Sequence, residues 1–286
     1  MKKNLILQPI LKWAGGKRQL LSQIEKYFPK KMTAYYEPFI GGGAVLFHLQ
    51  PKNAVINDYN KDLINCYVTI KENLEELILE LKKYQDKNNS EDFYKIRAVD
   101  RTEGYNKWTN VQKTARMIYL NRTCYNGLFR LNSAGQFNSP FGGYKNPVIC
   151  NEPLLRAMNK YFNDNNITFK TGDFYDACKD APEGSFIYLD PPYDQFEEQT
   201  NFVGYTEIGF SRKDQERLKN MCDELIARRC YVVISNSKTK FIQQLFSDKT
   251  KYSIKTVNAR RNINSDSKKR GEIEEVLIVG KFSNEE

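Results

Sequence analysis

Residues 185–194, Ser-Phe-Ile-Tyr-Leu-Asp-Pro-Pro-Tyr-Asp, constrain this chain more than any other stretch. The apolar run Phe186–Leu189 predicts a strand buried on both faces, the kind found in parallel sheets covered by helices. In open α/β sheets, ligands sit beyond the carboxyl ends of such strands. Asp190, Pro191, Pro192 and Tyr193 stand at that end. They offer a carboxylate, a backbone carbonyl held between two prolines, and an aromatic face. Those groups suit a flat ring that carries an amino group.

The flanking sequence predicts an α/β fold, a Rossmann-like sheet. Residues 35–40 read as a strand that runs into Gly41-Gly42-Gly43 and an apolar helix over 44–49. A second strand, 54–58, ends in Asp58. Residues 17–28 carry a helical pattern through Leu20, Leu21, Ile24 and Phe28, closed by Pro29. From residue 61 to 160 the character changes to helical periodicity, with a loop and hairpin at 121–147 rich in Asn, Gly, Arg and aromatics. The α/β pattern then resumes. A strand at 167–170 leads to Gly172-Asp173-Phe174, and Ser211 with Asp214 predicts a capped helix start. Strands follow at 231–235, 252–257 and 276–280. The expected division is a catalytic domain of residues 1–60 and 161–286, interrupted by a mostly helical recognition domain of residues 61–160.

Glu37-Pro-Phe-Ile-Gly-Gly-Gly43 lacks both the dinucleotide fingerprint and the Gly-Lys-Ser/Thr of a phosphate loop. An acid at the end of the next strand, Asp58, is placed to accept hydrogen bonds from ribose hydroxyls. A cap for the helix that follows is its other reading. A nucleoside without a cradled pyrophosphate fits this pattern, and S-adenosylmethionine is such a ligand. Trp13, Gly15, Gly16 and Lys17 offer a flat ring and a cation for the donor's amino-acid end. Asp173 is a candidate acceptor for its adenine amino group.

An exocyclic amino group is a poor nucleophile because its lone pair is delocalised into the ring. Hydrogen bonds to Asp190 and the Pro191 carbonyl would draw the nitrogen toward sp³ character. Tyr193 would stack on the base. Positioning and electrostatics carry such a step, and a base inside duplex DNA must first be flipped out. A net charge of +9, with 18 Tyr and 17 Phe, accords with a polyanionic, base-stacking partner. The six cysteines form no Cys-x-x-Cys pair and His48 is the one histidine, so no zinc or other metal site is expected. Residues 1–7 are too short an apolar stretch for a signal peptide, and no run reaches membrane-spanning length. A cytosolic chain with free thiols is expected, as a monomer or weak dimer.

Trp13-Ala-Gly-Gly-Lys17, Glu37-Pro-Phe-Ile-Gly-Gly-Gly43, Asn57-Asp-Tyr-Asn60, Gly172-Asp173-Phe174 and Asp190-Pro-Pro-Tyr193 follow one another in this order. Together they resemble the DNA adenine methylases of the Dam type. The resemblance covers nearly the whole chain. It implies a donor site lined by Trp13, Lys17, Asp58 and Asp190, with Glu37, Phe39, Gly41, Asp173 and Phe174 in the matching motifs, and action on adenine in double-stranded GATC. Residues 121–144 are similar to the family's recognition segment. That similarity assigns base contacts to Lys12, Leu128, Arg130, Pro140 and Tyr144. From the residues themselves, Arg130 suits bidentate contact with a guanine, while Tyr125, Asn126 and Leu128 suit a wedge that helps extrude the base. Gly143 departs from the pattern, standing where relatives carry a basic residue. The loop of residues 260–270, with five Lys or Arg, is a candidate phosphate clamp. Two other readings stay open, namely a cytosine-amino or RNA-directed enzyme of the same fold and a non-catalytic DNA-binding module. Either a restriction–modification pair or a solitary methylase fits the sequence.

Overall fold

The computed structural model describes residues 3–195, 210–260 and 272–282. Seven strands form one sheet: β1 (Tyr35–Glu37), β2 (Asn53–Asp58), β3 (Asn166–Thr171), β4 (Phe186–Leu189), β5 (Tyr231–Ser237), β6 (Tyr252–Arg260) and β7 (Glu272–Gly280). Their order is β3-β2-β1-β4-β5-β7-β6. The β1–β2, β1–β4 and β4–β5 pairs are parallel, while β7 runs antiparallel to both β5 and β6. This is the doubly wound order with its switch point beside β1 and β4, plus one reversed strand. The helices are α1 (Leu21–Ile24), α2 (Ala44–Leu49), α3 (Lys61–Glu72), α4 (Leu74–Lys82), α5 (Ser90–Ala98), α6 (Asn110–Thr123), α7 (Glu152–Asp164), α8 (Phe174–Cys178), α9 (Arg212–Ala227) and α10 (Lys240–Leu245).

The chain divides into two compact units. One comprises Met1–Gly16, Gly41–Gln50 and Asn60–Phe169, the other Lys17–Ile40, Pro51–Tyr59 and Lys170–Glu286. The first therefore contains the helical stretch at 61–160 and also takes in residues 1–16 and the Gly-rich turn with α2. Its interior is aromatic: Phe47, Tyr67, Tyr161, Phe162 and Phe169 lie ring to ring. The second unit holds the sheet core. Ile187 and Leu189 of β4, Val232 and Ile234 of β5, and Leu218, Cys222 and Leu225 of α9 share one buried cluster.

Local chemistry explains most boundaries. Ser211 caps α9 through a reciprocal capping box with Asp214, as expected. Asn60 caps α3 by accepting from the Asp62 and Leu63 amides, so the cap belongs to Asn60 and not to Asp58. Strand β1 ends at Glu37 and not at residue 40, because Pro38 offers no N–H for the ladder. The single helix expected over 17–28 is broken into a 3₁₀ turn, α1 and a second 3₁₀ turn. No side chain caps either break, and so short a segment has little cooperative stability. Strands β6 and β7 pair as expected, over longer spans. The remainder of the basic loop that begins at Arg260 lies outside the described residues.

The Gly-rich turn is packed from within the first unit. Gly43 precedes α2 with φ +74°, and a Cβ there would lie 2.9 Å from Phe47. Gly43→Ala should therefore destabilise the chain by about 1–3 kcal/mol through backbone strain and the clash. Urea unfolding of the variant beside the parent measures this, and equal midpoints would contradict it.

Candidate active site

The second unit places the carboxyl ends of β1, β2 and β4 along one edge of the sheet, with the β3–α8 turn beside them. Buried Asn57 joins three of these ends. Its Nδ2 donates to the Pro38 and Gly172 carbonyls, each at 3.0 Å, and its carbonyl accepts the Ile40 amide at 3.0 Å. The Gly172 amide donates in turn to the Asp58 carbonyl at 3.2 Å. The segments bearing Phe39, Asp58 and Asp173 are thereby held as one surface. Glu37 points into the core, where Tyr35 donates to its Oε2 at 2.7 Å. Phe39 and Phe174 lie 5.5 Å apart between centroids, and each packs against Phe210. Phe210 was not singled out from the sequence, although an aromatic residue just before a helix cap is a visible signal. Asp173 caps α8 by accepting the Tyr175 amide, and its other oxygen pairs with Arg217 at 3.1 Å.

At the end of β4, Lys17 Nζ lies 2.8 Å from Asp190 Oδ1 and 4.8 Å from the centroid of the Tyr193 ring. Lys17 is only 6% exposed. The sequence set this cation against the donor's carboxylate, whereas the structure gives it Asp190 as partner. Despite that ion pair, the buried Oδ1 accepts no aligned hydrogen bond. Burial pushes the Asp190 carboxyl up from its ordinary range, and the Lys17 ammonium opposes that rise.

The tetrapeptide's backbone is anchored on its far side. Gln215 of α9 donates to the Pro192 carbonyl at 2.9 Å and accepts from Asn236 at 3.1 Å; Asn236 Oδ1 accepts the Asp194 amide at 3.1 Å. Asp194 also receives Thr239 at 2.6 Å and Arg212 at 3.2 Å, and Ser237 donates to its carbonyl. None of these anchors was picked out from the sequence. Gln215 carries a signal, as a polar residue in the buried stripe that continues through Leu218, Cys222 and Leu225 of α9.

The remaining candidates fall in the first unit. Trp13 stacks on Phe129 at 5.1 Å and presses its Cδ1 against Gly41, 2.9 Å from where a Cβ would lie. The close approach that Gly41 permits is thus made by the chain's own indole. Lys12 is gripped by Asn121, which accepts its amide and donates to its carbonyl, both at 2.8 Å, and donates to the Gly127 carbonyl at 3.0 Å. Lys12 Nζ sits 4.9 Å from the Tyr144 ring centroid. The Tyr125 amide donates to the Pro140 carbonyl at 2.9 Å, and Asn126 adopts φ +55° in the turn between Tyr125 and Gly127. Ser139 donates to the Leu128 carbonyl. Arg130 is exposed, with its Nε held by Asn138 at 2.7 Å. Lys12, Tyr125, Asn126, Leu128, Arg130, Pro140 and Tyr144 thus share one hairpin-based framework.

The six cysteines are free, and no cluster that could hold a metal ion occurs among the described residues. No described helix is long and apolar enough to cross a membrane.

A Rossmann-like sheet with its carboxylate-bearing tetrapeptide at the switch-point edge defines a methyltransferase fold. The chain belongs to the D12 class N6 adenine-specific DNA methyltransferase family, which matches residues 13–263. It is 42% identical over 280 residues to the Type II methyltransferase M1.LlaDCHI of Lactococcus lactis subsp. cremoris, covering 98% of each chain. It is 39% identical to the Type II methyltransferase M.MjaIII of Methanocaldococcus jannaschii, covering 96% of this chain and 99% of that one. The DNA adenine methylase of Haemophilus influenzae is 32% identical over 283 residues, covering 98% of this chain and 96% of that one. Membership makes this chain an adenine-specific DNA methyltransferase and implies S-adenosylmethionine use in general.

An Asp190 that accepts an amino hydrogen does so more strongly when ionised, so activity should fall as pH drops through its raised pKa. Removing the opposing cation raises that pKa further. In Lys17→Met the acid limb of kcat should lie at higher pH than in the parent, measured at saturating donor and DNA over about pH 5 to 9. A limb at or below the parent's would contradict the role given to Lys17.

Proposed function

We propose that this chain moves a methyl group from S-adenosylmethionine to the 6-amino group of an adenine flipped out of double-stranded DNA, at GATC. The observation that carries this reading is Asp190. Its partly exposed carboxylate stands at the end of β4, with its buried Oδ1 paired to Lys17 and the Tyr193 ring nearby. A carboxylate so placed is an acceptor for an amino N–H.

The residues present fit the donor. Asp58 at the end of β2 would take the ribose hydroxyls, and Phe39, Asp173 and Phe174 would take its adenine. Trp13 belongs to the set that the family resemblance assigns, whereas Glu37 is held in the core by Tyr35 and Gly41 is covered by the Trp13 indole. When bound, the donor supplies an electrophilic methyl group on a sulfonium. Asp190 and the Pro191 carbonyl accept the two amino hydrogens and aim the nitrogen's lone pair. The Pro192 carbonyl is taken by Gln215. Such a site acts by orientation and fixed dipoles and needs no strong base.

For target choice, residues 61–160 with the segment around Lys12 form the recognition part. Arg130 reads a guanine, and Lys12, Leu128, Pro140 and Tyr144 contact bases. Tyr125 and Asn126 wedge the step from which the adenine leaves. The similarity of residues 121–144 to the recognition segment of Dam-type enzymes supports GATC.

Tritium transfer from labelled donor to GATC and scrambled duplexes tests the reading. Label should enter GATC alone, and Asp190→Ala should abolish transfer while leaving DNA affinity within about threefold. Label in the scrambled duplex alone would overturn the target, and full activity in Asp190→Ala would overturn the site.

Arg130→Ala should cost about 1–3 kcal/mol of discrimination at one position. Comparison of kcat/KM across single-base variants of GATC measures it. Uniform weakening on every sequence would make Arg130 a phosphate contact instead.

A further inference from the structure

Glu275 adds a negative charge that helps raise the Asp190 carboxyl, and no further part in the site has been given to it so far. It lies on β7, 8% exposed, in register with Ser237 of β5 and Val257 of β6. A carboxylate inside a sheet is costly unless it is hydrogen-bonded. Its Oε2 accepts the Tyr193 hydroxyl at 2.9 Å. Tyr193 is therefore fixed at three points. Its backbone neighbours are tied to Gln215 and Asn236. Its hydroxyl tip is held by Glu275. One ring face lies under the Lys17 ammonium, 4.8 Å from the centroid, and that ammonium is itself anchored 2.8 Å from Asp190.

A tyrosine ring free to rotate would have to be ordered when a base arrives, at a cost in entropy. Tyr193 meets no such cost if its ring is held in place beforehand. With a cation over one face, a flat ligand stacks on the other.

We propose that Glu275 is a positioning residue that holds the Tyr193 ring as a one-sided stacking surface for the flipped adenine. Lys17 closes the opposite face. This rests on the flipped-adenine reading given above. The carboxylate's hydrogen bond in the site is with the Tyr193 hydroxyl. It acts through the tyrosine hydroxyl, which explains why a phenol and not a bare ring ends the tetrapeptide.

The test uses the full chain and a GATC duplex with 2-aminopurine at the target adenine, whose fluorescence rises when it leaves the stack. Tyr193→Phe keeps the ring and removes the hydroxyl, while Glu275→Ala removes its acceptor. Each should lower the fluorescence gain at saturating protein and lower kcat on normal GATC duplex by roughly tenfold, with donor Kd changed less than about twofold. Glu275→Gln retains an acceptor oxygen and should recover most of both. The double variant Tyr193→Phe/Glu275→Ala should lose no more than either single variant, because one contact is removed once. If Glu275→Ala fails to fold by circular dichroism, Tyr193→Phe decides alone. Parent-like fluorescence and kcat in Tyr193→Phe overturn the role of Glu275, as do losses that multiply in the double variant. A parent that methylates without any fluorescence gain overturns the flipped-base reading, and this role falls with it.

Discussion

A carboxylate and an ammonium withdrawn together from water set the terms at the end of β4. Desolvating either group alone is expensive, and their mutual attraction repays that cost only when they are close. Lys17 and Asp190 meet this condition at 2.8 Å. A pair of apolar residues would serve stability as well or better, so the pair is best understood through its chemistry. In the proposed function this carboxylate accepts an amino N–H, and it does so best when poorly hydrated and ionised. Burial supplies the first property and drives the carboxyl toward protonation; Lys17 supplies the second. The same ammonium covers the Tyr193 ring, so one cation conditions both the polar and the aromatic half of the tetrapeptide.

The loops around this pair are irregular backbone, and irregular backbone is rigid only if its polar groups are satisfied. Side-chain amides do this work. Asn57 joins the β1, β2 and β3 ends, and Gln215 with Asn236 closes the turn after β4. Asn121 does the same in the first unit, between Lys12 and Gly127. An amide donates and accepts at once, so a single buried residue can bridge two strands of backbone without adding charge. A carboxylate or an ammonium in these places would need a counter-ion as well.

Much of this was legible in the residues. The run Phe186–Leu189, the apolar helix Ala44–Leu49 and the Ser211–Asp214 box are local signals, and the structure has all three. The failures have physical causes too. Pro38 ended β1 early, and the 17–28 segment had periodicity but no caps. Asn60, two residues beyond Asp58, took the cap that Asp58 had been offered. Gln215, Asn236 and Glu275 stand 25, 46 and 85 residues beyond Asp190 in the chain (215 − 190, 236 − 190 and 275 − 190), so only the folded sheet brings them to the tetrapeptide. Of these, Gln215 alone left a local trace, by interrupting an apolar stripe.

The short motif that runs from Lys12 to Lys17 shows why linear motifs can conceal a division of labour. The boundary between the two compact units falls between Gly16 and Lys17. Lys12 is held by Asn121 and faces Tyr144, and Trp13 packs on Phe129 and Gly41, all within the first unit. Lys17 pairs with Asp190 in the second. In the proposed function, Lys12 serves base recognition while Lys17 serves the reacting amino group. Glycines at 15 and 16 then have a reason beyond a turn. Neighbouring side chains must leave in the service of different units, and residues without Cβ atoms let the backbone change direction between them without steric cost. In that reading a substitution at Lys12 alters specificity and one at Lys17 alters turnover.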